Sequence, residues 1–159
     1  MIQKSFIEQR VNVVKVVALG MDPPVVVDVA TPLGDVVRRM RDESSGCALI
    51  TRDGRLAGIF TERDLVTRVL GTEAALEQPV ADWMTADPER VTETDPIRKA
   101  IRQMRRGGFR NVPVVDEAGG VVGCVRHKDI VNYLAEHYPA HVLNLPPDPD
   151  QIALEREGG

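Results

Sequence analysis

The spacing of apolar residues predicts short strands that alternate with amphipathic helices. Three consecutive valines at 25–27 are typical of a short buried strand. Two longer apolar runs, 47–51 and 56–60, flank the sequence Arg52-Asp53-Gly54-Arg55, which predicts a β-hairpin. Between these strands, apolar residues recur at helical intervals and predict a helix with one apolar face: Leu33, Val36, Val37 and Met40. A second helix is expected from Thr61 to about Leu70, where Gly71 would end it.

The same order of elements recurs in the second half of the chain. The pair Asp95-Pro96 opens a helix as Thr31-Pro32 does, and a second hairpin and a last helix to about Tyr138 follow. Superposing Pro32 on Pro96 and allowing one inserted residue in the second hairpin turn aligns the remaining landmarks: Val27 with Val91, Met40 with Met104, Gly58 with Gly123 and Asp64 with Asp129. We therefore expect two β-α-β-β-α units that pack sheet to sheet about a pseudo-two-fold axis and form two related clefts.

The boundaries follow from this repeat. Residues 1–10 are expected to form a short helix capped by Ser5, and residues 11–19 are a β-rich run at the start of the first repeat, 11–71. A linker at 72–79 leads to the second repeat at 80–138. Residues 139–159 form a Pro-rich tail in which one or two helical turns are expected over 151–157. Thr31 is expected to cap the first repeat's helix.

Composition and charge exclude several classes of function. The formal net charge is −4 and only 4% of residues are aromatic, which argues against a nucleic-acid binder. Cys47 and Cys124 lie in apolar stretches and are interpreted as buried free thiols of a reducing compartment, with a disulfide or a reactive thiol as the alternative. The longest apolar stretch, 11–19, is too short to cross a bilayer. We expect a soluble cytoplasmic protein, with no nucleic-acid or membrane partner.

One strand-to-helix junction, Gly58-Ile59-Phe60-Thr61-Glu62-Arg63-Asp64, combines a hydroxyl and an acid at a helix start. The Thr61-x-x-Asp64 spacing predicts a capping box, which alone would explain both residues. The same arrangement can also form a small anion or ribose site. Its second copy, Gly123 to Asp129, has Arg126 in place of Thr61.

These motifs, in this order and duplicated, resemble a pair of CBS (cystathionine β-synthase) domains over about residues 11–138. The matching sequences are Trp83-Met84-Thr85-Ala86-Asp87-Pro88, Asn111-Val112-Pro113-Val114-Val115-Asp116 and the Gly58–Asp64 junction. The resemblance implies an α+β fold of two CBS repeats. It also implies that the clefts bind an adenosine-containing ligand such as AMP, ADP, ATP or S-adenosylmethionine, and that the module, commonly a homodimer, regulates a partner protein without catalysing a reaction.

The resemblance also implies roles for particular residues. Asp64 would accept hydrogen bonds from the ribose hydroxyls, and Thr61 would contact ribose or phosphate. Arg110 is the first phosphate candidate, followed by Arg63, Arg126, His127 and Lys128. The adenine would lie against the backbone at Cys47-Ala48 and Val112-Pro113. In the second cleft Arg126 fills the site, pairs with Asp129 or contacts a polyphosphate.

The favoured function is an adenine-nucleotide sensor that signals to an unidentified partner. One alternative is a structural dimerisation or adaptor module with vestigial clefts, and another is a sensor of S-adenosylmethionine or NAD(H). The sequence contains no Ser/His/Asp set, P-loop or cysteine cluster, so we expect neither an enzyme nor a required cofactor or metal.

Overall fold

The computed structural model describes residues 2–140, without the side chains of residues 2–5 and 74. The chain begins with helix α1 (Ile2–Val13) and a 3-10 turn at Val16–Ala18. The first repeat contains β1 (Val25–Asp28), α2 (Leu33–Asp42), β2 (Cys47–Arg52), β3 (Arg55–Thr61) and α3 (Glu62–Asp64), which continues into a π-helical turn at Leu65–Val69. After 3-10 turns at Glu73–Glu77 and Val80–Asp82 follow β4 (Thr85–Ala86), α4 (Ile97–Gly107), β5 (Asn111–Val115), β6 (Val121–Arg126) and α5 (His127–His137).

The two repeats build sheets of unequal size. The first sheet has the order β1-β2-β3-β4, with β1 parallel to β2 and the other neighbours antiparallel. The second sheet consists of β5 and β6, and its counterpart of β1 is reduced to a parallel bridge between Val91 and Val114. Both hairpins change register at the equivalent point, after Ile50 in the first and after Val114 in the second. The repeat is therefore preserved down to its irregularities.

Each repeat completes the core of the other. The backbone N–H of Leu33, which starts α2, donates to the carbonyl of Gln78 at 2.8 Å, and that of Ile97, which starts α4, donates to the carbonyl of Val14 at 2.9 Å. Buried side chains next to these two carbonyls are exchanged between the cores in the same way. Val16 is fully buried in the second repeat's core. Val80 is fully buried in the core of the first. The segment before each repeat therefore belongs structurally to the other repeat.

The two sheets face each other across a small apolar layer. The backbone N–H of Leu56 on β3 donates to the carbonyl of Gly119, in the second hairpin turn, at 2.9 Å. Buried side chains from both sheets fill the interface: Cys47, Leu49, Leu56, Ile59, Val115 and Cys124. The expected α+β architecture of two repeats packed sheet to sheet is confirmed.

Several local expectations are wrong. The β-rich run expected at 11–19 is instead the end of α1 and a 3-10 turn, because Val11 and Val14 pack on the second core as helix and turn residues. Tertiary packing thus overrides the strand preference of valine. Ser5 lies inside α1 rather than at its start. The N-cap of α2 is Pro32, and Thr31 makes no side-chain cap.

The helix expected from Thr61 to Leu70 consists of one α-helical turn followed by a π-helical turn. In the π-helical turn, the Leu70 N–H donates to the Leu65 carbonyl at 3.1 Å. The helical turns expected at 151–157 lie outside the described residues. Within residues 2–140, no helix is long and apolar enough to cross a membrane.

Candidate functional site

The junction between β3 and α3 forms a complete capping box. The Thr61 hydroxyl accepts a hydrogen bond from the Asp64 backbone N–H at 3.2 Å, and Asp64 Oδ2 accepts one from the Thr61 backbone N–H at 2.9 Å. The Thr61 hydroxyl also donates to Asp64 Oδ2 at 3.0 Å. The expected box is thus confirmed, and it fixes the position of both side chains.

The box uses only one of the two carboxylate oxygens. Asp64 Oδ1 makes no hydrogen bond to any described residue, and the nearest cation, Arg68 Nη1, is 3.9 Å away. The side chain of Asp64 is 15% exposed. A carboxylate oxygen that is held rigidly and left open is suited to accept a hydroxyl donor, and its two lone pairs can serve a vicinal diol.

Thr61 and Asp64 line a cavity of about 790 Å³ between the two repeats. Arg63 follows Thr61 into this first cleft, and Arg110 enters from the opposite repeat, just before β5. Among the described residues, neither guanidinium has a hydrogen-bond or ion-pair partner. The structure therefore places an acceptor for hydroxyls and two unpaired cations around one space large enough for a nucleotide.

Other walls of the first cleft were not predicted as site residues, although some of them lie in the motifs quoted above. Phe109 packs against Gly107 at the end of α4 and, with Ile59 and Pro88, supplies the apolar lining. Gly108, in the left-handed conformation at φ 68°, turns the chain from α4 toward Phe109 and Arg110. Phe109 directly precedes Arg110, the predicted phosphate-binding residue. This adjacency is the feature of the sequence that could have indicated Phe109 as a site residue.

The first cleft also contains acidic groups that were not predicted as site residues. Glu62, Asp87 and Glu89 line it, and Glu89 forms an ion pair with Arg106 of α4. The second carboxylate oxygen of Glu89 is buried without a hydrogen-bond partner among the described residues. The cleft thus has both basic and acidic sides, which favours a ligand with donors as well as phosphate.

In the equivalent second cleft, Arg126 lies between two carboxylates. Its Nη2 lies 2.7 Å from Asp22 Oδ2 and 3.0 Å from Asp129 Oδ1, while its Nε donates to Asp129 Oδ2 at 3.1 Å. The Arg126 backbone N–H donates to Asp129 Oδ2 at 2.8 Å, so the acid keeps its capping role. The hydrogen bond from Arg126 lowers the pKa of Asp22. Of the roles considered for Arg126, the structure shows the pairing with Asp129.

The remaining nominated residues lie away from the first cleft. Ala48 and Val112 are fully buried in the cores of the first and second repeat, Pro113 is buried within β5, and Cys47 lies between the sheets. Their side chains form strand interior, and the adenine contact expected of their backbone stays a prediction. The structure therefore gathers Thr61, Arg63, Asp64 and Arg110 in one cleft and Arg126 with Asp129 in the other.

The structure is thus a tandem α+β repeat with exchanged leading segments, facing sheets and a cleft between the repeats. The CBS domain family model matches residues 16–71 and 80–136, and the chain belongs to this family.

Solved structures and curated proteins agree with this assignment. The chain is 33% identical to the CBS-domain containing protein ATU1752 from Agrobacterium tumefaciens, with a TM-score of 0.63 over 72% of this chain and 90% of that one. It is 26% identical to the CBS domain protein PAE2072 from Pyrobaculum aerophilum, solved in complex with AMP, with a TM-score of 0.68 over 77% and 99% of the two chains.

Among curated proteins, CBSCBSPB1 of Arabidopsis thaliana is 33% identical over 91 residues, which are 57% of this chain and 17% of that protein. The chain spans less than two thirds of the length of the first curated relatives that it matches.

Proposed function

We propose that this protein is a regulatory module that binds an adenosine-containing ligand, AMP, ADP or ATP, in the first cleft. The observation that carries the proposal is the open Oδ1 of Asp64 beside the unpaired cations Arg63 and Arg110 in one inter-repeat cavity. The ribose hydroxyls would donate to Asp64, and the phosphates would lie toward Arg110, with Arg63 in support. The AMP complex of PAE2072 supports this ligand class.

We propose one ligand per chain. The second cleft lacks the Thr61 hydroxyl, and its carboxylate at Asp129 is only 4% exposed and already holds the Arg126 guanidinium. A ligand would have to displace a three-membered ion network there to reach Asp129. Occupancy of one cleft would bias the angle between the repeats, which an unidentified partner would detect.

A homodimer is proposed for the module. The helix after Thr61 exposes Val66, and α5 exposes its equivalent, Val131, at 63% and 56%. Two apolar positions related by the pseudo-two-fold axis suit an isologous contact with a second copy. Val66→Asp would convert a dimer to a monomer in sedimentation velocity experiments, whereas Val122→Asp, at an exposed position on β6, would not.

The cytoplasm is the proposed location, because glutathione there would keep Cys47 and Cys124 reduced.

Calorimetric titration tests the ligand proposal. AMP, ADP, ATP, adenosine, S-adenosylmethionine and NADH would be titrated into the wild-type chain. Asp64→Asn should weaken the best ligand by about tenfold or more, since a strong hydrogen bond is lost. Its matched control is Asp129→Asn, the equivalent change in the second cleft, which should leave first-cleft affinity unchanged.

The role of Arg110 is tested with the same titrations. Arg110→Ala should weaken ATP and AMP more than adenosine, whereas Arg105→Ala, an exposed arginine on α4, should not. An equal loss of affinity for adenosine and for AMP in Arg110→Ala would show that Arg110 does not bind the phosphate. No heat with any of these compounds would reject the sensor in favour of a purely structural dimerisation module, and heat with S-adenosylmethionine or NADH alone would favour the other sensor classes.

A further inference from the structure

The two cysteines of the chain touch each other across the interface of the repeats. Cys47 Sγ lies 3.9 Å from Cys124 Sγ, although the residues are 77 positions apart. Cys47 is the first residue of β2, directly opposite Thr61, and Cys124 lies on β6, opposite Pro113. The thiol contact is therefore a direct side-chain link between the first sheet and the second.

Their environment makes the two thiols chemically unequal. Cys47 and Cys124 are 4% and 5% exposed. The hydrogen bond from Cys124 lowers the pKa of Cys47, against the effect of burial, and the nearby Arg126 guanidinium adds to this effect. The same hydrogen bond, together with burial, raises the pKa of Cys124. Cys47 is thus the more acidic of the two thiols.

The fold does not itself require sulfur at these places. Under the alignment of the repeats, Cys47 corresponds to Asn111 and Cys124 to Ile59, and these two residues line the first cleft. An amide and an aliphatic side chain thus occupy the equivalent places in the other half of the molecule. The thiol pair therefore occurs in only one of the two equivalent places, near Arg126.

We propose that Cys47 and Cys124 are a modification site that forms an intramolecular disulfide on reaction with a peroxide. The Cys47 thiolate attacks one oxygen of hydrogen peroxide, the O–O bond breaks, and hydroxide leaves and takes a proton to become water. The Cys47 sulfenic acid that results is attacked by the sulfur of Cys124, the S–S bond forms, the S–O bond breaks, and a second water leaves. Two thiols and one peroxide give one disulfide and two waters, so the two sulfurs lose the two electrons that the peroxide gains.

The geometry requires little movement. A disulfide places its sulfurs about 2.0 Å apart, so the two side chains would approach by about 2 Å. The bond would join β2, next to the Thr61 strand end, to β6 of the opposite repeat. It would hold the two sheets in one arrangement whether or not the first cleft contains a ligand.

Intact mass and thiol counting test the proposal on the full chain. The reduced protein is treated with a few equivalents of hydrogen peroxide, denatured, alkylated with iodoacetamide and weighed. Both thiols should become protected together, with the loss of two hydrogen atoms per chain, and dithiothreitol should restore both. A non-reducing digest should contain the Cys47–Cys124 peptide pair, and the thermal midpoint of the oxidised chain should rise by about 5 °C or more.

Single substitutions separate the two steps. In Cys124→Ala, peroxide should convert Cys47 to a sulfenic acid that dimedone traps, with no intramolecular bond. In Cys47→Ser, peroxide should form no intramolecular disulfide, and Cys124 should react more slowly than Cys47 does in Cys124→Ala, because burial still raises the pKa of Cys124. The wild-type measurement needs neither variant. The proposal is overturned if wild-type thiols stay alkylatable while methionines oxidise, or if oxidation yields only intermolecular disulfides or sulfinic acid.

Discussion

Arg126 reaches Asp22 at 2.7 Å from a position 104 residues later in the chain. The contact connects the segment between the 3-10 turn and β1 to the start of α5. Asp22 is itself 76% exposed, whereas Asp129, on the other side of the guanidinium, is 4% exposed. The ion pair between Arg126 and the buried Asp129 should therefore contribute more to stability than the pair with Asp22.

Replacing Arg126 by threonine would remove that network. We expect Arg126→Thr to lower the free energy of unfolding by about 2 kcal/mol, because the buried Asp129 exchanges its charged partner for a neutral hydroxyl. Asp22→Asn should cost clearly less than Arg126→Thr, since Asp22 itself lies at the surface. Urea unfolding measures both, and equal losses would contradict this division.

The same variant tests whether the second cleft can bind a ligand. Arg126→Thr recreates the Thr-x-x-Asp sequence of the first cleft, and calorimetry should then detect a second adenosine-ligand site in addition to the single wild-type one. A stoichiometry that stays at one would show that further residues close the second cleft.

The hydroxyl of Thr61 is expected to contribute to stability independently of any ligand. Thr61→Ala removes the side-chain cap of α3, so the free energy of unfolding should fall by about 1 kcal/mol. Thr31→Ala is the matched control, because the Thr31 hydroxyl makes no hydrogen bond among the described residues and Pro32 occupies the N-cap of α2. Chemical denaturation of the two variants should separate them, and similar losses would count against a capping contribution.

Gly58 and Gly123 occupy equivalent positions but differ in available space. A Cβ on Gly58 would lie 2.9 Å from the Thr85 carbonyl oxygen and would overlap the side chain of Met84. On Gly123 the nearest atom would be the flexible end of Met21, at 3.2 Å. We expect Gly58→Ala to destabilise the protein by about 2 kcal/mol and Gly123→Ala by less than half of that, in thermal unfolding. A larger destabilisation by Gly123→Ala than by Gly58→Ala would show that β4 shifts to accommodate a Cβ more easily than Met21 does.

Asp95 provides a pH-dependent contribution at the start of α4. Burial tends to raise its pKa, but hydrogen bonds from the Lys99 ammonium at 2.9 Å and the Thr92 N–H at 2.8 Å outweigh burial and lower it below 3.8. A carboxylate with a lowered folded-state pKa stabilises the protein above pH 3.8, and this contribution is lost as the pH falls through the lowered value.

Asp95→Asn should therefore have a lower thermal midpoint than the wild type at pH 7, by a few degrees, and the difference should narrow below about pH 4. Asp35→Asn, at the exposed start of α2, serves as the control. A difference that is constant from pH 7 to pH 3 would show that the charge of Asp95 is not involved.

Much of this structure could be predicted from local features of the sequence. The hairpin turn was predictable because Asp53 and Gly54 adopt positive φ angles of 52° and 75°, which Asp-Gly accommodates well. The capping box was predictable because Thr61 and Asp64 are three residues apart. The repeat was visible because both halves keep the same periodicities.

The parts that were not predictable depend on distant contacts. Val16 and Val80 enter cores formed by other parts of the chain, and no periodic pattern records such an exchange. The same reason hid the helical state of residues near Val11, where packing against the second core decided the conformation. Asp22 could not be assigned to Arg126 for lack of any local relation, and Glu89 enters the first cleft only through the fold.

The exchange of leading segments has a consequence for how the two halves can be separated. A cut within the linker at 72–79 would divide the sequence between its two copies but would not divide the molecule into two folding units. The first fragment would retain Val16 without the core that receives it and would lack Val80, and the second would have the opposite deficiency. The duplicated halves therefore depend on each other to fold, and the protein should unfold in a single cooperative transition.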